Sequence, residues 1–161
     1  CLADLSELPF KYRLFIKTYR WRRIDPVPWT ALKKPLSECR LVLVSSAGIV
    51  TSEQKPFDNA IRGGDPSIRE IPVDIDVSTL IETHRSEAFD HTGIRQDANL
   101  AFPIDRLREL TEAGRIGSLN HRHLSIMGSV TAPGRLIKKT IPLVVRRLLL
   151  DKVDVALLIP V

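Results

Sequence analysis

"TIPLVVRRLLLDKVDVALLIPV" occupies residues 140–161, and the order of two patterns within it decides the fold. Ile141, Val144, Val145, Leu148 and Leu149 fall at i, i+3, i+4, i+7 and i+8, with Arg146 and Arg147 opposite. That spacing predicts an amphipathic helix opening near Thr140, early enough in which Pro142 is tolerated. Seven of the nine residues 153–161 are then apolar, and a short run rich in Val, Leu and Ile reads as a buried inner strand of a mostly parallel sheet. A helix leading over Asp151 and Lys152 into such a strand is the second half of a βαβ unit. In open α/β sheets the loops at the carboxyl ends of the strands carry the ligands, so the interest falls on the far end of this strand.

Working outward, "CRLVLVSSAGIV" at 39–50 supplies another apolar run, residues 41–44, broken by Ser45, Ser46 and Gly48 in the manner of a buried strand leaving through a tight turn. Gly63, Gly64, Asp65 and Pro66 mark a further turn, and "SIREIPVDID" reads as a strand with Pro72 at an edge or bulge. Thr79 and Glu82 stand in capping-box relation, which predicts a short helix from Thr79 towards Glu87. The stretch "FDHTGIRQDANLAF" reads as polar and irregular. After it, Pro103, Ile104, Leu107, Leu110 and Gly114 outline a helix with its start and stop.

At 161 residues, 43% hydrophobic and 27% charged, the chain has the composition of one globular domain with a substantial core. Its apolar runs are too short to cross a bilayer and no secretory signal opens it, so a cytoplasmic setting without membrane partners is expected. Cys1 and Cys39 make neither a CxxC pair nor a disulfide framework. Residues 1–40 hold nine Lys/Arg against four Asp/Glu, whereas 41–161 hold fifteen of each, so the net charge of +5 is all N-terminal. "FKYRLFIKTYRWRR" interleaves that charge with aromatics, but Leu8, Tyr12, Phe15, Ile16 and Tyr19 recur at helical spacing. A helix with an apolar stripe towards a core and a basic, partner-facing side is therefore preferred to nucleic-acid binding. Pro26, Pro28 and Pro35 follow as an extended arm, giving a basic N-terminal arm or helix over 1–38 and the α/β part over 39–161.

Few motifs carry chemistry outright. "NHRH" sets His121 and His123 two apart, where an extended strand would point both the same way, but no third ligand accompanies them and a hydrogen-bonding role is preferred to a metal. "SSAGIV" matches neither phosphate-binding fingerprint, and no GxSxG elbow surrounds Ser45, Ser46, Ser125 or Ser129. The densest polar cluster holds Asp90, His91, Arg95, Asp97, Asn99, Asp105 and Arg106. Local turn-making and a proton-transfer or binding role both remain open for it.

Three stretches, "GGDPSIREIP", "ANLAFPIDRLRELTEAGRIGSLNHRHLSIMGS" and "DKVDVALLIPV", together resemble the selenoprotein B family of the glycine, sarcosine, betaine and D-proline reductases over residues 40–161. They match its D-x-S-x-R-x-IP stretch at Asp65, Ser67, Arg69, Ile71 and Pro72, its FP-x-DRLREL stretch at 102–110, and its H-x-S-x-MG stretch at His123, Ser125, Met127 and Gly128. The resemblance implies that the closing strand runs into a selenocysteine or cysteine just past Val161, and an in-frame UGA read as a stop would end the chain there. It further implies a selenolate or thiolate attacking the α-carbon of an amino acid whose amine is held by a pyruvoyl group on a partner subunit, with electrons returned by a thioredoxin-type reductant.

The expectations are then an α/β fold with a mostly parallel sheet, flanking helices and Rossmann-like layers, incomplete at the C-terminus. No catalytic residue is expected within the chain. Substrate-pocket candidates are Ser45, Ser46, Asp90, His91, Asp97, Asn99, His123 and Ser125, with no resident cofactor or metal. Partners would be the other subunits of a reductase complex and the reductant, with homo-oligomers allowed. The chain alone would be inactive. The competing reading is a non-catalytic binding or assembly module that docks through its basic arm.

Overall fold

The computed structural model describes residues 5–20, 23–86 and 91–161. They divide into a unit running up to Ala31 and a larger one, Leu32–Val161. In the first, α1 spans Phe10–Thr18. Tyr12, Ile16 and Tyr19 are half-buried, but no residue of α1 is fully buried, and Leu8, Phe10, Leu14 and Phe15 are exposed. The expected core-facing stripe is thus narrower than the periodicity suggested, because a helix gains burial only where another element meets it. Arg22 lies outside the described residues.

The second unit is built on β1 (Arg40–Ser45), with β2 (Ile49–Val50), β3 (Ile68–Pro72), β4 (Ile81–Glu82), α2 (His91–Gln96), α3 (Ile104–Glu112), β5 (Ser118–Leu119), β6 (Arg122–Ile126), α4 (Ile141–Leu150) and β7 (Val155–Ile159) following. β1 is central: β5 and β6 pair with it in parallel on one side and β7 in parallel on the other. β3 closes the far side antiparallel to β6 and ends at Pro72, a strand terminus where the missing N–H costs nothing. The sheet is mostly parallel with helices against it, as the βαβ reading requires.

Alternation along β1 creates two cores. Leu41 and Leu43 face a layer holding Ile71, Ile94, Phe102, Ile104 and Leu107, with Val155, Leu157 and Ile159 of β7 packed onto it. Val42 faces the other way, onto Leu124 and Val144, with Val44, Leu148 and Val153 around them. The second core is small, and this corrects the reading of β7 as an inner strand: among the described residues it pairs with β1 alone, and Leu158 is 65% exposed. Of the predicted stripe on α4 only Val144 is buried, while Val145 and Leu149 face solvent. A π-helical turn, Leu136–Thr140, leads into α4; Pro142 has no N–H to return to the carbonyl four residues back, and the wider turn accommodates that.

Two other expectations change. No helix starts at Thr79: Val77–Thr79 is a single 3-10 turn capped by Asp76, whose Oδ1 accepts from the Ser78 N–H at 2.9 Å, and the chain continues into β4, which pairs antiparallel with β2. Thr79 is used within that turn, donating to the Asp76 carbonyl at 2.7 Å, and strand pairing wins over the local capping pattern. The segment read as irregular contains α2 and a 3-10 turn, Ala98–Leu100, capped by Asp97.

"NHRH" forms a bulge. β5 pairs Leu41 with Leu119 and β6 pairs Val44 with Leu124, so four residues, 120–123, span what Val42 and Leu43 span on β1. The bulge leaves the Leu43 N–H without its ladder partner, and His123 Nδ1 accepts it at 2.9 Å. His121 is exposed and His123 fully buried, so the two do not share a face. Arg122 reaches the end of α4, with Nε and Nη2 on the Asp151 carboxylate at 2.8 and 3.0 Å and Nη1 on Glu70 at 3.1 Å, and Asn120 adds a bond to Asp151 at 3.1 Å. With Lys152 at φ 58° the chain then reverses into β7, whose approach is fixed by Asp154 accepting from the Arg40 N–H at 2.7 Å. Replacing Asp151 with alanine strips partners from both Arg122 and Asn120 and is expected to cost about 2 kcal/mol in urea unfolding; a loss below about 0.5 kcal/mol would mean that the cluster does not anchor β7.

Candidate functional site

The carboxyl ends of β1, β6 and β7 meet a strap formed by the residues after β4. Gly48 follows β1 at φ +67°, a conformation open to glycine without strain, and its carbonyl accepts both the N–H and the hydroxyl of Thr83 at 3.1 and 2.6 Å. Arg85 reaches the Ser129 carbonyl at 2.7 Å and the Ile61 carbonyl at 3.3 Å. These bonds hold His84 over the end of the sheet. Ser46 meets the last turn of the chain: its N–H donates to the Ile159 carbonyl at 3.1 Å, and its Oγ accepts from the Val161 N–H at 2.9 Å.

These segments converge at Gly128. A Cβ placed there would lie 2.6 Å from the Ser46 carbonyl oxygen, 2.9 Å from that of Val161 and 3.0 Å from His84 Nε2. Glycine is required because no side chain fits, although Gly128 itself opens to solvent. His84 is 8% exposed, and its Nδ1 accepts from the Ser86 N–H at 3.3 Å, which assigns the hydrogen of the neutral ring to Nε2. Desolvation lowers its pKa from the ordinary value, against the opposing pull of Glu82 and with smaller contributions from His91 and Arg85.

A cavity of about 500 Å³ is lined by Ile49, Val77, Leu80 and Ile94 and by the charged groups Asp76, Glu82, Arg95, Asp97 and Asp105. Glu82 connects the two places. One carboxylate oxygen accepts the His84 backbone N–H and the other faces His91 Nδ1 at 2.7 Å, while His91 Nε2 faces the Ser86 carbonyl at 3.1 Å. Both ring nitrogens of His91 thus face oxygen acceptors.

The structure sorts the expected pocket residues into three groups. Asp97 and Asn99 line the cavity, with Asn99 clasping Asp105 through bonds of 3.0 and 3.2 Å, and His91 stands behind it on Glu82. Ser46 belongs to the convergence at Gly128. Ser45, His123 and Ser125 are fully buried: Ser45 Oγ donates to the Ala101 carbonyl at 2.6 Å, and His123 serves the bulge while packing edge-on against Phe102. Asp90 lies outside the described residues. Glu82, His84 and Gly128 join the site although no spacing in the sequence connects them. The nearest signal was the Met-Gly pair after β6. Most of the other motif residues are scaffold. Asp65 accepts from the Asp58 and Ser67 N–H groups at 2.9 and 2.8 Å, Arg69 lies 4.3 Å from the Phe57 ring centroid, and Arg108 binds the Val73 and Ile75 carbonyls.

The family model for glycine/sarcosine/betaine reductase selenoprotein B matches residues 4–160. The chain belongs to that family. Within it, the chain is 33% identical over 136 residues to the D-proline reductase subunit gamma of Acetoanaerobium sticklandii, covering 84% of the chain and 54% of the relative. It is 30% identical over 117 residues to the glycine reductase complex component B subunit gamma of Carboxydothermus hydrogenoformans, covering 71% of the chain and 26% of that protein. The chain thus spans about half the length of the first of these relatives and a quarter of the second. No solved structure matches it. Both relatives are subunits of reductases, and no helix among the described residues is long and apolar enough to cross a membrane.

Proposed function

We propose that this chain is part of a reductase subunit that cleaves the C–N bond of glycine, sarcosine, betaine or D-proline with a dithiol as electron donor, within a complex of several subunits. The observation that supports this most is the convergence at Gly128, where the chain leaves β7 against Ser46 and His84 at the carboxyl edge of a parallel sheet. A selenocysteine or cysteine following Val161 would start from this point, beside an exposed glycine and the polar groups of Ser46 and His84. Such a residue would supply a soft nucleophile that bonds to the α-carbon as the C–N bond breaks and the amine leaves, the amine of glycine, sarcosine or D-proline being held by a pyruvoyl group on a partner subunit. A thiol would then attack the chalcogen, release the reduced carbon product and leave a bond between the two chalcogens that a thioredoxin-type reductant reduces.

The chain's own residues would receive the substrate. The cavity lining carries the carboxylates of Asp76, Glu82, Asp97 and Asp105; Asp105 is paired with Arg108, so Asp76, Glu82 and Asp97 stand against the guanidinium of Arg95, and a surface of that sign favours a cationic amine. Ile49, Val77, Leu80 and Ile94 give it an apolar side. The test is to assay the full-length subunit with its partner subunits and dithiothreitol against the four compounds. Dithiol-dependent amine release from one of them is expected, and a complex inert to all four would sink the substrate assignment.

A further inference from the structure

We infer that His84 is a catalytic residue of the proposed reductase, its Nε2–H donating a hydrogen bond to the anionic selenium or sulfur that follows Val161. This rests on the reading above and assigns it a residue that no motif marks. Three observations carry it. The Val161 carbonyl, one bond from the next residue, and His84 Nε2 flank the same point beside Gly128, at 2.9 and 3.0 Å from where a Cβ would stand. The Ser86 N–H occupies Nδ1 and so turns the hydrogen-bearing nitrogen towards that point. The ring is fixed in place, since Glu82 accepts the His84 backbone N–H while Thr83 and Arg85 tie the flanking residues to Gly48 and Ser129.

Among the described residues Glu82, His91 and Arg85 act on the ring, and burial outweighs the carboxylate, which favours the neutral imidazole. The donor is therefore present throughout the neutral range, and a preorganised N–H aimed at an anion in a partly dry site stabilises the charged form over the protonated one. The chalcogen would ionise more readily and be held in one orientation.

The experiment uses the full-length subunit in its cysteine form and follows iodoacetamide alkylation of the cysteine after Val161 from pH 5 to 10, with the modified peptide located by mass spectrometry. H84N keeps an acceptor for the Ser86 N–H but has no donor at the Nε2 position, whereas H84Q can place an N–H there. The wild-type cysteine should titrate below the ordinary thiol value of about 8.5. H84N should move the curve up by about one pH unit and slow alkylation at pH 7 about tenfold, and H84Q should stay within about threefold of wild type. Superimposable wild-type and H84N curves would overturn the role of His84 while leaving the reductase reading to its substrate assay. Finding neither cysteine nor selenocysteine after Val161 would overturn both.

Discussion

Lowering the pH from 6.5 to 4 is expected to remove about 3 kcal/mol of folding free energy through His123 alone. The ring is fully buried in the bulge between β5 and β6, and desolvation, with Arg108 and His121 adding to it, pushes its pKa down from 6.5 to about 4. In the unfolded chain the group takes up its proton near pH 6.5, while the folded protein resists until about pH 4. The stability is therefore complete above 6.5 and is lost as the pH falls through that window. The lowered carboxylates, Asp65, Asp76, Asp151 and Asp154, release their share only below their ordinary value of 3.8, so they fall outside it. His123→Asn keeps an acceptor for the Leu43 N–H and does not titrate. Urea unfolding of the two proteins at pH 6.5 and 4 should show wild type losing about 3 kcal/mol more than the variant, and equal losses would mean that the ring is not held neutral. His123→Ala removes the acceptor and leaves a void beside Phe102, and it is expected to cost about 3–5 kcal/mol at pH 7.

Gly128→Ala should strike the proposed site harder than it strikes the fold. The new methyl would lie 2.6 and 2.9 Å from two backbone carbonyl oxygens, neither of which can rotate away, so the turn after β6 or the exit of β7 must shift. Overpacking of this kind costs about 1–3 kcal/mol. A displacement of about 1 Å at a reacting centre can lower turnover about a hundredfold. Unfolding curves for the variant, together with kcat of the full-length subunit in its complex, separate the two effects. Ordinary turnover in a normally folded variant would show that Val161 and His84 do not need to meet at Gly128.

Local signals were enough wherever a single element answers to its own sequence. Leu41, Val42 and Leu43 read as a buried strand because both faces of β1 are covered, and Ile104, Leu107 and Gly114 marked the body and end of α3 because its apolar face meets the larger core. The same reasoning failed where a partner decides. Thr79 and Glu82 have the spacing of a helix cap, yet Ile81 and Glu82 pair with Val50 and Ile49 as strand. The spacing of α4 and the apolar run of β7 both suggest burial, but burial needs a second layer, and over Val145, Leu149 and Leu158 the described residues supply none.

The candidate site divides along the same line. Sequence by itself determined the βαβ order, the parallel central sheet, the family through its motifs, and the carboxyl end of β7 as the place to look, since each is written in contiguous periodicity or in consecutive motif residues. Only the tertiary structure decided that Gly128, Ser46, Val161 and His84 are neighbours, that Glu82 ties them to the cavity, and that His123 belongs to the core rather than to a pocket. Those contacts join residues up to 115 positions apart. They arise from the pairing of β1 with three parallel strands and from a two-residue bulge, and neither leaves a periodic trace in the segments it joins.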